Sequence, residues 1–152
     1  MLQIGDNAPD FELLNDENKP LKLSDLRGRR VVLFFFPKAD TPGCTKQACG
    51  FRDRFPRIEL SNATVIGLSP DKPAALAKWK AKEKLPYSLV SDPDHHVAEA
   101  YGAWGEKKSF GKTYDGIRRG HAVISAEGKI EDIQLNISPD ESVERAVKFL
   151  AG

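Results

Sequence analysis

Two cysteines, Cys44 and Cys49, are the residues of this sequence with the most distinctive chemistry, and the 152-residue chain contains no others. Two cysteines are too few for a secreted scaffold that is stabilised by disulfides. In a reducing compartment, two cysteines close together in the sequence are typical of catalysis or metal binding. Cys44 follows the polar turn 40–43, which follows an apolar run that ends at Pro37. We therefore expect its sulfur at the end of a strand, where functional sites form in α/β proteins.

The residues after this turn have the periodicity of a helix. An inward face is predicted by residues at i, i+4, i+7 and i+11, namely Cys44, Ala48, Phe51 and Phe55. If the helix starts near Thr41, Cys44 lies in its first turn, where free N–H groups and the positive end of the helix dipole stabilise a thiolate. This position suits a nucleophile. The alternative for Cys44 is a buried, unreactive cysteine, which is the commoner environment.

A zinc site is a further alternative for the cysteines, because His95 and His96 could complete a set of four ligands. The spacing C-x-x-x-x-C is looser than that of common structural zinc sites, and adjacent histidines on a helix point in different directions. We therefore expect no metal and no cofactor. Both histidines are predicted to lie on the surface.

The remaining pattern predicts a mixed sheet flanked by helices. The predicted strands, which are β-branched or aromatic runs, are 31–36, 64–68 and 121–124, the last within a hairpin over 121–137. The predicted helices are 73–84, 92–102 and 138–150. Asp92 is the expected N-cap of the second, with Pro93 at its first position, and a capping box opens the third. Strands and helices alternate, which is typical of an α/β sandwich.

Charge and hydropathy exclude several classes of function. The chain has 23 Lys and Arg against 22 Asp and Glu, and a formal net charge of +1 gives no field for nucleic acid or anionic lipid. The longest apolar run, 31–36, is far shorter than the ~20 residues that cross a bilayer. The first residues lack the basic start and apolar stretch of a secretory signal. We expect a cytoplasmic protein without nucleic-acid or membrane partners.

Several segments in order resemble the peroxiredoxins, and in particular peroxiredoxin Q, also called bacterioferritin comigratory protein. Pro37, Thr41 and Cys44 form the signature P-x-x-x-T-x-x-C. The similarity continues through 5–11, 23–28, 41–45, 47–49, 51–53, 91–94, 101–102, 104–108 and 114–117. The resemblance implies a thioredoxin-like fold with an additional N-terminal β-hairpin, and one peroxiredoxin domain over residues 1–152. It also implies a thiol-dependent peroxidase that reduces hydrogen peroxide and organic hydroperoxides in antioxidant defence.

The resemblance assigns roles around the first cysteine. Cys44 is implied to be the peroxidatic nucleophile, which becomes a sulfenic acid. The hydroxyl of Thr41, the amides of Gly43 and Cys44 and a distant arginine are implied to bind the peroxide, while Pro37 shields the sulfur. Such donors are needed because negative charge builds on the departing oxygen.

Two adjacent arginines are candidates for the distant donor. The family's spacing after Gly-Ile selects Arg119 over Arg118, although a solvated strand end is the alternative for either. The sequence then departs from the family pattern at Gly120 and His121. We expect His121 to have satisfied hydrogen bonds, and the alternative is that it is a pH-sensitive neighbour of the site. Gln47 is predicted to be a helix-surface residue rather than a catalytic one.

Cys49 matches the position of the resolving cysteine, which the subfamily often places five residues after the first. The resemblance implies an intramolecular disulfide with Cys44, reduction by thioredoxin or a similar dithiol protein, and a monomeric chain. Two rivals remain open. A thiol–disulfide oxidoreductase acting on proteins normally has C-x-x-C, and a redox-sensing or holdase module could use the same oxidation to signal to a partner.

Overall fold

A five-stranded mixed sheet forms the centre of the computed structural model, which describes residues 2–152. The strands are β1 (Glu12–Leu14), β2 (Pro20–Lys22), β3 (Arg30–Phe35), β4 (Ala63–Ser69), β5 (Ser88–Ser91), β6 (Trp104–Ser109), β7 (Lys112–Ile117), β8 (Gly120–Ile124) and β9 (Ile130–Leu135). The helices are α1 (Pro42–Leu60), α2 (Pro73–Glu83), α3 (His96–Ala100) and α4 (Pro139–Ala151), with a short 3₁₀ helix at Leu23–Leu26.

The central sheet has the strand order β5-β4-β3-β8-β9. Its first three strands are parallel, whereas β8 is antiparallel to both β3 and β9. The strands β1 and β2 form a separate N-terminal hairpin. The thioredoxin-like fold with an N-terminal hairpin, which the sequence predicted by resemblance, is therefore confirmed.

Strand β3 lies in the middle of the sheet and separates two halves of the core. Alternate residues from Val32 to Phe36 pack in the cluster that contains the apolar faces of α1, α2 and α4. Those from Val31 to Phe35 pack with the N-terminal hairpin and α3 on the other face. This alternation is the pleat of a strand buried on both faces, as the run 31–36 predicted.

Helix α1 begins at the turn that follows β3. Thr41 is its N-cap in an extended conformation, and Pro42 occupies the first helical position, where a missing N–H is tolerated. The predicted inward face is confirmed, because its four members are all buried. The helix continues through Pro56 to Leu60, further than the periodicity indicated.

Three regions differ from the sequence-based expectation, and one of them is β5 (Ser88–Ser91), which the periodicity did not predict. The helix predicted at 92–102 covers only His96–Ala100, because His95 has a left-handed conformation and interrupts it. The carboxylate of Asp92 still accepts the N–H groups of Val97 and Ala98, so it caps α3 although it lies four residues before the helix begins. The hairpin β6–β7 was missed altogether, because most of β7 is exposed and offers no apolar alternation.

The other predicted elements are present. Helix α2 and the hairpin β8–β9 fall where the pattern placed them, and the hydroxyl of Ser138 caps α4 by accepting the N–H of Glu141 at 3.2 Å. Among residues 2–152, no helix has both the length and the apolar character needed to cross a membrane.

Candidate active site

The sulfur of Cys44 lies in the first turn of α1, beyond the carboxyl end of β3, and the residue is completely buried. Burial alone is typical of an inert structural cysteine. The Nη2 group of Arg119, however, donates to Sγ of Cys44 at 3.4 Å. A guanidinium in contact with sulfur favours the charged thiolate over the neutral thiol. The N–H groups of the first helical turn also have no partners within the helix, so they favour negative charge here.

The two neighbouring arginines have separate environments, and only one of them reaches the sulfur. The Nη1 group of Arg118 donates to the carbonyl of Gly102 at 3.1 Å. Its guanidinium covers Gly105 so closely that a Cβ at that glycine would lie 2.5 Å from Nη2. The structure therefore brings Arg119, and not Arg118, to Cys44.

Gly43 makes room for this contact. A Cβ built on Gly43 would lie 3.0 Å from Nη2 of Arg119, closer than side-chain atoms usually approach. Any larger residue at this position would push the guanidinium away from the helix. Glycine is thus needed for the close approach of the charge to the first turn of α1.

Thr41 and Pro37 lie on the loop that joins β3 to α1. The hydroxyl of Thr41 donates to the carbonyl of Lys38 at 2.7 Å, so its proton is directed into the loop. Pro37 is half-buried. The loop is held against the loop that follows β4, because the N–H of Ala39 donates to the carboxylate of Asp71 at 2.7 Å. The structure thus places both residues beside the start of α1, with the threonine proton engaged elsewhere.

Gln47 is the site residue that sequence analysis placed wrongly. It was predicted to lie on the helix surface, yet its side chain is completely buried. Its Oε1 accepts from Nη1 of Arg119 at 3.0 Å, and its Nε2 donates to the carbonyl of Gly120 at 3.3 Å and to Oγ of Ser142 at 3.1 Å. The signal that could have located it is its spacing of three residues from Cys44, which puts both on one helix face.

His121 extends this buried polar cluster. Its Nδ1 lies 2.8 Å from Oγ of Ser142, while its Nε2 has no hydrogen-bond partner in the part of the chain that is described. The prediction of a satisfied histidine is therefore right for one ring nitrogen and wrong for the other. Burial lowers the pKa of His121 to about 4, with Asp132 opposing and Arg145 adding to the shift. The imidazole is neutral at neutral pH.

Lys107 is a second cation near the site, and the sequence pattern did not indicate it. Burial lowers the pKa of Lys107, the charge of Arg119 lowers it further, and the charge of Cys44 opposes the shift. Its Nζ donates to the carbonyl of Ile117 at 2.8 Å, two residues before Arg119. The hairpin β6–β7 therefore brings positive charge toward the sulfur.

Cys49 lies on α1 in a different environment. Its Sγ donates to Oε1 of Glu83 at 3.5 Å, and burial raises the pKa of its thiol, with Arg52 opposing and Glu83 adding to the shift. Five residues of helix correspond to a rise of about 7.5 Å and a rotation of about 140°. Both Cys44 and Cys49 are free thiols that face different sides of α1.

The histidines considered as metal ligands have other contacts. His95 is half-buried, contrary to its predicted place on the surface, and its ring stacks on Trp104 with a centroid separation of 3.8 Å. His96 is exposed, as predicted. Within residues 2–152, no three or more His, Cys, Asp or Glu side chains are grouped so that they could hold a metal ion.

A buried thiol held against a guanidinium at the start of a helix, on a thioredoxin-like sheet, defines a thiol-based redox protein. Residues 4–133 match the profile of the AhpC/TSA family, and the chain belongs to this family of peroxiredoxins. The sequence is 48% identical over 132 residues to peroxiredoxin Bcp of Escherichia coli (strain K12), which covers 87% of this chain and 85% of that relative.

Solved structures give the same result. The crystal structure of peroxidoxin BcpB from Mycobacterium tuberculosis superimposes with a TM-score of 0.88 at 34% identity and covers 99% of this chain and 97% of its own. The bacterioferritin comigratory protein of Xanthomonas campestris, studied for alkyl peroxide reduction, gives 0.90 at 25% identity and covers 99% and 96%. The resemblance identified from sequence is confirmed, and the protein is a thiol-dependent peroxidase.

Proposed function

We propose that Cys44 is the residue that reduces the peroxide. Its thiolate attacks the terminal oxygen of ROOH, the O–O bond breaks, and the products are the Cys44 sulfenic acid and RO⁻, which takes up a proton. The observation that supports this assignment is the 3.4 Å contact between Arg119 and the sulfur. The same guanidinium can stabilise the negative charge that develops on the departing oxygen.

The other residues of the signature have proposed roles around the peroxide. The amides of Gly43 and Cys44 donate to its oxygens, and the hydroxyl of Thr41 exchanges its bond to the Lys38 carbonyl for one to the peroxide. Because Cys44 is completely buried, the loop that carries Pro37 must move slightly to admit the substrate. A buried sulfur of this kind also keeps bulk water away from the reacting atoms.

We further propose that Cys49 resolves the sulfenic acid. Its sulfur displaces the hydroxyl of Cys44–SOH, so that a disulfide forms and water leaves. A disulfide needs Cα atoms within about 7 Å and converging Cβ vectors, which an intact helix does not offer at this spacing. The first turns of α1 must therefore unwind, eased by the Pro42-Gly43 turn. Oxidation should raise amide exchange in residues 42–52 while the central sheet keeps its protection.

Thioredoxin or a similar dithiol protein is the proposed reductant, and hydrogen peroxide and organic hydroperoxides are the proposed substrates. The Xanthomonas campestris relative, which is described by its alkyl peroxide reduction, supports the organic part of this range. We propose that the chain acts as a monomer, because both sulfurs of the disulfide lie on one helix.

A coupled assay with thioredoxin, thioredoxin reductase and NADPH tests this proposal. We expect many turnovers of peroxide for the unmodified chain and none for Cys44→Ser. The Cys49→Ser variant should consume about one equivalent and then stop, since its sulfenic acid has no internal partner. Full steady-state activity of Cys49→Ser would remove Cys49 from the mechanism. Insulin reduction without peroxide consumption would instead favour an oxidoreductase that acts on protein disulfides.

A further inference from the structure

The C-terminal half of α2 contacts α1 along the segment that must unwind. The Nε1 group of Trp79 donates to the hydroxyl of Thr45 at 3.2 Å, next to Cys44. One turn later, Sγ of Cys49 donates to the carboxylate of Glu83 at 3.5 Å, and Nη1 of Arg52 donates to the backbone carbonyl of Glu83 at 2.8 Å. Helix α2 therefore contacts Thr45, Cys49 and Arg52, which follow one another at intervals of about one turn along α1.

Glu83 has an unusual place within α2 itself. It is the last residue of that helix, where the negative end of the dipole disfavours a carboxylate and favours cations such as Lys80 and Lys82 in the same turn. The charge of Glu83 therefore does not stabilise its own helix. The contact that its carboxylate makes is with the thiol of Cys49.

We infer that Glu83 is a positioning residue that holds the Cys49 thiol within folded α1 and thereby sets the rate of disulfide formation. This inference rests on the proposed function, in which Cys44–SOH and Cys49–SH give a disulfide and water. The bond from Cys49 to Glu83 exists only while α1 is folded, because the thiol must leave the carboxylate to reach Cys44. An interaction made in one conformation alone shifts the population toward it.

The charges around Cys49 agree with this arrangement. The titratable groups that act on it are Arg52 and Asp53 of α1 and Glu83 of α2, and its own charge in turn raises the pKa of Tyr87, whose burial is the main cause of that shift. Arg52 favours the thiolate, whereas the two carboxylates favour the thiol. Holding the thiol also prolongs the lifetime of the Cys44 sulfenic acid, during which a second peroxide can oxidise it to the sulfinic acid.

The isosteric variant Glu83→Gln tests the inference on the full chain. After one equivalent of hydrogen peroxide, we expect its intramolecular disulfide to form roughly 3- to 10-fold faster, the factor that corresponds to the net contribution of one ordinary hydrogen bond. The peroxide concentration that half-inactivates the enzyme should rise by a similar factor. Glu83→Asp keeps the charge but withdraws the carboxylate by one methylene, so it should also speed disulfide formation.

Two measurements separate this role from a general loss of stability. In a Cys44→Ser background, where Cys49 is the single thiol, the pH profile of alkylation should move to lower pH for Glu83→Gln. Glu59→Gln removes an exposed carboxylate from the same helix as Cys49 and should leave both the profile and the disulfide rate unchanged. A structural weakening of α1 alone would move the profile as far for Glu83→Asp as for Glu83→Gln, whereas loss of the Glu83 charge moves it further for Glu83→Gln.

The outcomes distinguish this inference from the proposed function. Unchanged or slower disulfide formation in Glu83→Gln, beside normal formation in the unmodified chain, overturns the role of Glu83 and leaves the resolving role of Cys49 intact. Absence of an intramolecular disulfide in the unmodified chain overturns the proposed resolving step itself.

Discussion

Cys44 and Cys49 lie on one helix, but their sulfurs contact side chains of opposite charge. The guanidinium of Arg119 donates to the sulfur of Cys44 at 3.4 Å, whereas the sulfur of Cys49 donates to the carboxylate of Glu83 at 3.5 Å. A cation favours a thiolate and a neighbouring carboxylate favours a thiol. The elements packed on either side of α1 therefore add to the effect of the helix terminus and give the two sulfurs opposite electrostatic environments.

The two sides of α1 are also held in different ways. On the side of β8 and α4, the buried side chain of Gln47 connects the half-buried guanidinium of Arg119 to the buried carbonyl of Gly120 and the buried hydroxyl of Ser142. On the side of α2, the thiol of Cys49 is half-buried and its bond to Glu83 is long. Hydrogen bonds between buried polar groups are costly to separate. The Cys49 side is therefore the one suited to open during a reaction cycle.

The largest change in rate is expected when the positive charge beside Cys44 is removed. We expect Arg119→Ala to lower the second-order rate constant for peroxide by roughly 10²-fold, the size found when one charge-stabilising donor is deleted. Arg118→Ala is the matched control, because its guanidinium donates to the Gly102 carbonyl and not to Cys44. Competition for peroxide against a second peroxidase measures both rates. A larger loss for Arg118→Ala would contradict the assignment.

Much of this arrangement was predictable from sequence where periodicity or a motif existed. The run 31–36 predicted a strand buried on both faces, and the spacing from Cys44 to Phe55 predicted the inward face of α1. The choice of Arg119 over Arg118 came from the family motif alone, since two adjacent charged residues have no periodicity. The structure gives its physical basis, which is that the two side chains reach different partners.

The rest was not predictable because it depends on contacts between distant elements. Gln47 was misplaced because a glutamine is usually exposed, and its partners Gly120 and Ser142 are more than seventy residues away. The contact between Cys49 and Glu83 likewise joins two helices whose packing no local pattern specifies. The hairpin β6–β7 was missed because both of its strands are largely polar.

A smaller effect is expected when the guanidinium is kept but loses its support. Gln47→Met fills a similar volume and removes the acceptor that orients Arg119, so the peroxide rate should fall on the order of tenfold, as for about 1.4 kcal/mol. Lys46→Met is the control, since Lys46 is exposed and pairs only with the exposed Asp140. Stopped-flow oxidation of Cys44 measures both. An unchanged rate for Gln47→Met would mean that the helix turn alone holds Arg119.

The smallest expected effect is a change in the free energy of unfolding, and it comes from His121, which belongs to the same polar cluster as Gln47 and Ser142. His121 is buried and neutral, with a folded-state pKa of about 4 against 6.5 when unfolded. Because the pKa of His121 is lower in the folded state, the neutral side chain contributes fully to the free energy of unfolding when the pH is above the unfolded-state pKa. This contribution is lost as the pH falls toward 4. Between about pH 7 and about pH 5.5 we expect the free energy of unfolding to fall by about 1 kcal/mol from this group.

The variant His121→Asn isolates that contribution. Asparagine can keep a polar atom near the hydroxyl of Ser142 and carries no titratable group, so urea unfolding of this variant should lose the 1 kcal/mol dependence on pH. His96→Asn changes an exposed histidine and should retain the dependence. Equal slopes in all three proteins would mean that His121 takes up its proton at the same pH in the folded and unfolded states. In that case acid would add a positive charge near Gln47, and the Cys44 side of α1, rather than the Cys49 side, would loosen first as the pH falls.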